Sequence, residues 1–428
     1  MKSAPPVLLA VLLGVSLVAM PVIAAGPETT EPTQETISSA SPQLLSHQSG
    51  TVDAENTTNR LPLTGDVTNE YTTYGSDIGL AFASVDDQLR VDHEQYTVID
   101  SEFDDATLEE RKNMVRAAYD CINNRTEAIE EREREAIRKH ETGYMTDTEL
   151  IRTLLRNQNE AERLLEALRE LRDSRTEEIP GYSLSPQQVR ADEASLELYQ
   201  TSLRSELEQA SQSSQQDAGT VVRIRTFADT ETPTDSKDWH GGYSFSVIDG
   251  DTYVLETTRF DNRRADAVNQ FEDYSNYETI QAATEFYPWA GEEKRWSEFN
   301  DYGEENLYFV NLEVDQTQLE VYLDGGTGQV YRERQELTLE SLPKVDNETY
   351  ANDSLNVSLT ETPVNGPTKV AVTDAETKEP VTATVTVDDT EIGRTDDDGT
   401  LWILPPVDGY DLEVQSNAGS VDVTVSDD

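Results

Sequence analysis

The chain has 428 residues, with 85 acidic and 33 basic side chains and a formal net charge of −52. A surface of that sign repels nucleic acid and anionic membrane, which bind through Lys and Arg, so neither is expected as a partner. The acids are spread along the whole chain and the bases are 25 Arg against 8 Lys. Such self-repulsion destabilises a compact state in dilute buffer and is screened at molar salt, where the Debye length is about 3 Å, so the charge reads as adaptation to brine.

Met1-Lys2-Ser3 precedes an apolar run from Val7 to Met20, closed by Val22-Ile23-Ala24-Ala25. A charged start, a short apolar core and an A-x-A-like end make residues 1–25 a Sec-type signal peptide. An uncleaved anchor is the alternative, but a spanning helix needs about 20 apolar residues. No second apolar stretch follows, so the mature chain is expected to be secreted or at the cell surface, without membrane insertion. Residues 26–66, rich in Thr, Ser, Gln, Glu and Pro, read as a disordered spacer. Cys121 has no second cysteine to pair with and sits beside Ile122 in a helical pattern, where buried packing is its expected role.

Residues 70–215 read as an antiparallel helical bundle. Thr107-x-x-Glu110 and Thr146-x-x-Glu149 are capping boxes, and Ser185-Pro186 opens a third helix. Apolar stripes follow each start: Val115, Ala118, Ile122 and Ile129; then Leu150, Leu154, Ala161 and Leu164; then Val189, Leu196, Leu203 and Leu207. A weaker stretch from Ile78 to Tyr96 supplies a fourth helix. Gly143 and Pro180-Gly181 mark short connections.

Residues 219–340 change period and read as an α+β domain with an antiparallel sheet. Val221 to Arg225 and Tyr243 to Val247 alternate as strands, and Asp249-Gly250 is a hairpin turn. A helix is expected over 264–286, then strands at 307–314, 318–323 and 329–333. The run Val321-Tyr322-Leu323-Asp324-Gly325-Gly326-Thr327-Gly328-Gln329-Val330, behind a helix, resembles the PepSY-type module over 265–336. That resemblance implies regulation of an extracellular protease.

Residues 343–366 read as a linker carrying the sequons at Asn347, Asn352 and Asn356; Asn56 and Asn124 begin two more. Residues 367–428 read as a small all-β sandwich with strands at 369–373, 381–387, 399–404, 410–415 and 420–425. Val372, Pro380-Val381, Gly393, Thr395-Asp396, Gly399 and Pro405 follow an order that resembles carboxypeptidase-regulatory-like, Ig-like sandwiches. Taken whole, the chain resembles a family of haloarchaeal secreted multidomain proteins without an assigned activity.

The search for chemistry finds no catalytic residue, metal ligand set or cofactor motif. His47, His93, His140 and His240 show no metal-ligand spacing. His240-Gly241-Gly242 resembles the oxyanion loop of some esterases, but no G-x-S-x-G elbow accompanies it. Asp396-Asp397-Asp398-Gly399 is half a calcium loop, with Leu401 and Ile403 where ligands are needed, so a β-turn is favoured. Tyr287, Trp289, Trp296 and Tyr302 crowd one region. Packing on the domain's own sheet is favoured there over an aromatic surface for a glycan or peptide. The expectation is a non-enzymatic protein acting through an unidentified protein partner at the cell surface. Protease regulation and glycan or peptide binding are the alternatives.

Overall fold

The computed structural model describes residues 60–213, 219–236, 238–293, 295–314, 317–407 and 409–426. The signal segment, Asn56 and the spacer through residue 59 lie outside the described residues. Within the described part, Asp77, Thr107, Thr146, Ser185 and Thr201 each take an extended backbone and open a helix. These are α1 (Ile78–Gln95), α2 (Leu108–Glu141), α3 (Asp147–Glu170), α4 (Pro186–Glu197) and α5 (Ser202–Ser211). The two capping boxes form, with Glu110 Oε2 accepting from Thr107 N at 2.8 Å and Glu149 Oε2 from Thr146 N at 2.9 Å. The stripe running from Val189 to Leu207 is cut in two, because the Thr201 hydroxyl accepts from Arg204 N at 3.1 Å and starts α5.

The strands β1 (Thr68–Tyr74), β2 (Thr220–Ala228), β3 (Gly241–Asp249), β4 (Thr252–Arg259), β5 (Trp296–Tyr302), β6 (Leu307–Val314), β7 (Thr317–Asp324) and β8 (Val330–Thr338) make one eight-stranded sheet. Its order is β1-β2-β3-β4-β8-β7-β6-β5, every pairing antiparallel. β1 was expected to belong to the helical segment and instead pairs with β2, setting Tyr71 opposite Arg223. The helices therefore do not form a separate body. Their stripes are covered by the sheet: Ile122, Leu155 and Leu164 share one core with Val222, Ile224, Tyr243 and Phe245. Each such buried side chain contributes about 1.5–3 kcal/mol, and a charged helix has no other wall of that size to bury against.

Strand alternation sends the neighbouring residues to the opposite face. There α6 (Asn276–Phe286) and the short α7 (Pro288–Glu293) cover Val310, Leu312, Leu319 and Val321. Only the second half of the helix expected over 264–286 forms. Ser275 and Glu278 make a capping box there, with Glu278 Oε2 accepting from Ser275 N at 2.8 Å. Residues 263–270 are pinned instead by the turn after β7. Asp324 accepts from Arg263 Nη1 at 2.7 Å and from Arg264 N at 3.1 Å, and Gly325 O accepts from Gln270 N at 2.8 Å. A Cβ on Gly326 would lie 2.1 Å from Arg264 O, which explains a glycine at this close approach. Residues 60–66 are likewise not spacer: Leu61 is buried, its N–H donates to Glu333 at 2.7 Å, and Arg259 Nη1 holds Pro62 O at 2.8 Å.

The chain ends in a β-sandwich that begins earlier than expected. Where a linker was read over 343–366, β9 (Asp346–Ala351) and β10 (Leu355–Glu361) form. Leu355, Val357 and Leu359 alternate inward between polar neighbours, a period-two signal hidden among Asn, Ser and Thr. With β11 (Thr368–Asp374), β12 (Thr384–Val387), β13 (Thr390–Arg394), β14 (Thr400–Ile403), β15 (Tyr410–Gln415) and β16 (Ser420–Val425) they make two four-stranded sheets. Their orders are β14-β11-β10-β9 and β13-β12-β15-β16. The sandwich sits on the large sheet: Tyr253, Leu337 and Leu404 share an apolar cluster. Beside it, the Arg223 Nε of β2 donates to Pro405 O at 3.1 Å and its Nη1 donates to Asn365 O.

Candidate functional site

Between α2, α5 and the helix-facing side of the sheet lies a fully buried charged network. Arg204 Nη2 meets Glu133 Oε1 at 3.1 Å and Glu256 Oε1 at 3.0 Å, and donates to Tyr243 Oη at 2.7 Å. Tyr243 in turn donates to Glu133 Oε1 at 2.7 Å, and Thr201 Oγ1 to Glu256 Oε2 at 2.8 Å. Burial pushes Glu256 up, but the guanidinium groups of Arg204, Arg332 and Arg334 overcome it and hold the carboxyl at about 2. The group is closed on itself and clamps helices to sheet.

Arg332, which also meets Glu133 at 3.4 Å, connects this network to a neighbouring cleft. Arg332 stacks at 5.5 Å on the Tyr199 ring and at 5.6 Å on the Tyr331 ring, and both tyrosines line the cleft. α2 contributes Glu127 and Glu130, which lie one helical turn apart on one face. α4 contributes Asp192 and Ser195, and the loop after β5 contributes Glu305, with Arg263 beside it at 3.6 Å. The cavity has a volume of about 260 Å³. Among the described residues, Asp192 takes hydrogen bonds from neutral donors, the Tyr119 hydroxyl and Gln188 Nε2 at 3.0 Å. Burial raises its carboxyl above the usual range. Burial raises Glu305 too, against Arg263, and Asp192, Glu130 and Glu127 add to it. No local pattern marks this cleft, since Glu127 and Tyr331 lie far apart in the chain and acids occur everywhere.

The aromatic group singled out in the sequence is divided by the fold. Tyr287 is buried, and Trp289 of α7 and Phe299 of β5 pack half-buried against the same cluster. Trp296 stands on the other face of edge strand β5 and is 51% exposed, while Tyr302 packs half-buried on the main core. Strand alternation is the reason: Trp296 and Phe299 are an odd number of residues apart, so they face opposite ways. They do not make one ligand surface.

Among the sequons, Asn124 is exposed on α2 and Asn347 is exposed on β9. Asn352 closes a turn, accepting from Leu355 N at 2.9 Å and donating to Ser420 O at 2.6 Å, and Asn356 is half-buried. Cys121 is half-buried on α2. His140 bridges Thr226 and Asp147, at 3.0 Å to each, tying the end of α2 to the sheet. Gly241 and Gly242 open β3, where Cβ atoms would lie 2.3 Å from Trp239 and 2.4 Å from Thr258 O, so close packing accounts for both glycines. Asp396 and Gly399 close a turn at 2.9 Å. No helix among the described residues is long and apolar enough to cross a membrane.

Three family models match the chain: a domain of unknown function (DUF7096) over residues 1–217, a family of unknown function (DUF7094) over 238–343, and an archaeal fibronectin-III type-like domain over 346–423. The last coincides with the sandwich and includes β9 and β10. The stretch that resembles PepSY falls inside the second match. No curated protein and no solved structure matches the chain.

Proposed function

We propose that this chain, which belongs to the DUF7096 family over half its length, is an exported, salt-adapted protein that acts by binding a protein partner outside the cytoplasm, without catalysis. One observation carries the reading. The fibronectin-III-type sandwich is seated on the eight-stranded sheet through Arg223 and a shared apolar cluster. A helix-covered sheet and a sandwich joined in this way present a continuous surface, as suits a docking element. The signal-like residues 1–25 and the charge of −52 support a location in brine.

The test is affinity capture of the tagged protein from its native host, cross-linked on intact cells in molar salt. One partner recovered in near-equal amount supports the reading. Recovery of the chain alone, mostly from the medium, defeats the docking role. A second reading, regulation of an extracellular protease, is favoured by α6 standing ahead of β5–β8 with the Asp324–Gly328 turn between the last two strands. A protease as the captured partner would promote it.

A further inference from the structure

We infer that the cleft between α2, α4 and the start of β8 is a binding site for an organic ammonium group, either a free alkyl amine or the lysine side chain of a partner. The inference stands on the cleft itself and holds whether or not the chain is exported.

Three observations converge on this chemistry. The first is charge imbalance: Glu127, Asp192 and Glu305 line the cavity, and Arg263, its guanidinium, is already engaged by Asp324 at 2.7 Å and by Glu305 O at 2.7 Å. The second is the wall of Tyr199 and Tyr331. These residues are 3% and 2% exposed, and neither phenol is hydrogen-bonded among the described residues, although both line the cavity. Neither oxygen is among the described polar atoms sealed from solvent without a partner, so both open on the cavity, where a ligand's polar group can meet them. The third is dispersion: among the described residues no group of three or more acidic, His or Cys side chains is placed to hold a metal ion. The two rings already carry guanidinium groups, so the carboxylates dispersed around this wall suit an organic ammonium group held by charge-assisted hydrogen bonds. The volume of about 260 Å³ accommodates a chain of lysine length and is just below the usual range for small-molecule pockets. Burial that raises Asp192 and Glu305 is a cost that a bound ammonium group would relieve.

The experiment is calorimetric titration of the full chain in molar potassium chloride with 1,5-diaminopentane and, separately, with Nα-acetyl-lysine methylamide. Saturable binding is expected, weakened at least about tenfold by Glu127→Gln or Asp192→Asn, the scale of one lost charge-assisted hydrogen bond. Glu127 is exposed, so its variant should keep the wild-type thermal transition and separates binding from folding. Glu166→Gln, on α3 away from the cleft, should bind as wild type does. Binding of the diamine alone identifies a free amine, and binding of the lysine amide identifies a side chain. Flat titrations with both probes, or equal affinity in the cleft variants and wild type, would overturn the inference.

Discussion

Buried guanidinium groups occur on both faces of the eight-stranded sheet, and they are satisfied in opposite ways. On the helix side Arg204 and Arg332 meet Glu133, and Arg204 also meets Glu256, with Tyr243 and Thr201 completing the hydrogen bonds. On the sandwich side Arg223 is equally buried but bonds backbone carbonyls of Pro405 and Asn365. Burial there, with Arg60 and Arg225 nearby, pushes its guanidinium down to about 10. Glu333, on that same face, takes its hydrogen bonds from the Tyr287 hydroxyl and the Leu61 amide. The helix side thus holds a matched ionic cluster. The other side joins separate segments through single charges and neutral partners. Matched clusters tolerate no single loss, because each deletion strands a buried charge, whereas a lone charge takes its own desolvation cost with it when removed.

That contrast orders the expected effects. Glu133→Gln should cost about 3–5 kcal/mol, since it leaves Arg204 and Arg332 facing a neutral amide in a dry interior. Urea unfolding in molar salt, followed by circular dichroism, measures it, and a loss under 1 kcal/mol would break the comparison. Next is Glu333, which burial raises from 4.5 to about 7. The folded chain keeps a proton there that the unfolded chain releases. Its contribution to stability is full below pH 4.5 and is lost as the pH rises through about 7. Glu333→Gln should therefore match wild type below that window and exceed it above by about 3 kcal/mol. A variant less stable than wild type at pH 8 would contradict the assignment.

Arg223→Met should cost less than Glu133→Gln, about 1–2 kcal/mol, because two carbonyls lose a donor and a desolvated charge disappears with it. Its sharper signature is faster proteolysis between Leu342 and Asp346, as the sandwich loosens from the sheet; unchanged cleavage would show that the apolar cluster alone holds the join. Smallest is Trp296→Ala, expected within about 0.5 kcal/mol of wild type, against about 2 kcal/mol for Trp289→Ala on α7. Equal losses measured by thermal unfolding would return both residues to one packed group.

Helix starts are legible at Thr107-x-x-Glu110 and Thr146-x-x-Glu149, and strands where apolar residues alternate on a clear polar background. β15 and β16 have the bounds read for them. The same signals were present but passed over at Ser275-x-x-Glu278, behind a stronger apolar pattern, and at Leu355, Val357 and Leu359, among sequons. β5 puts Trp296, Phe299 and Tyr302 on both of its faces, so it carries no apolar alternation to read. The cleft was not legible at all.

By itself, then, the sequence determined the local pieces, because caps, alternation and turn glycines act over a few residues. It also determined the charge and the signal-like start, which are sums and runs that need no fold. Only the tertiary structure decided that β1 ties the helices to the sheet, that Arg204 finds Glu133, and that Glu127, Asp192, Tyr199 and Tyr331 surround one cavity. Those contacts join residues far apart in sequence. In a chain with 85 carboxylates, spacing cannot show which few come together; only the packing of apolar stripes against a particular sheet face selects them.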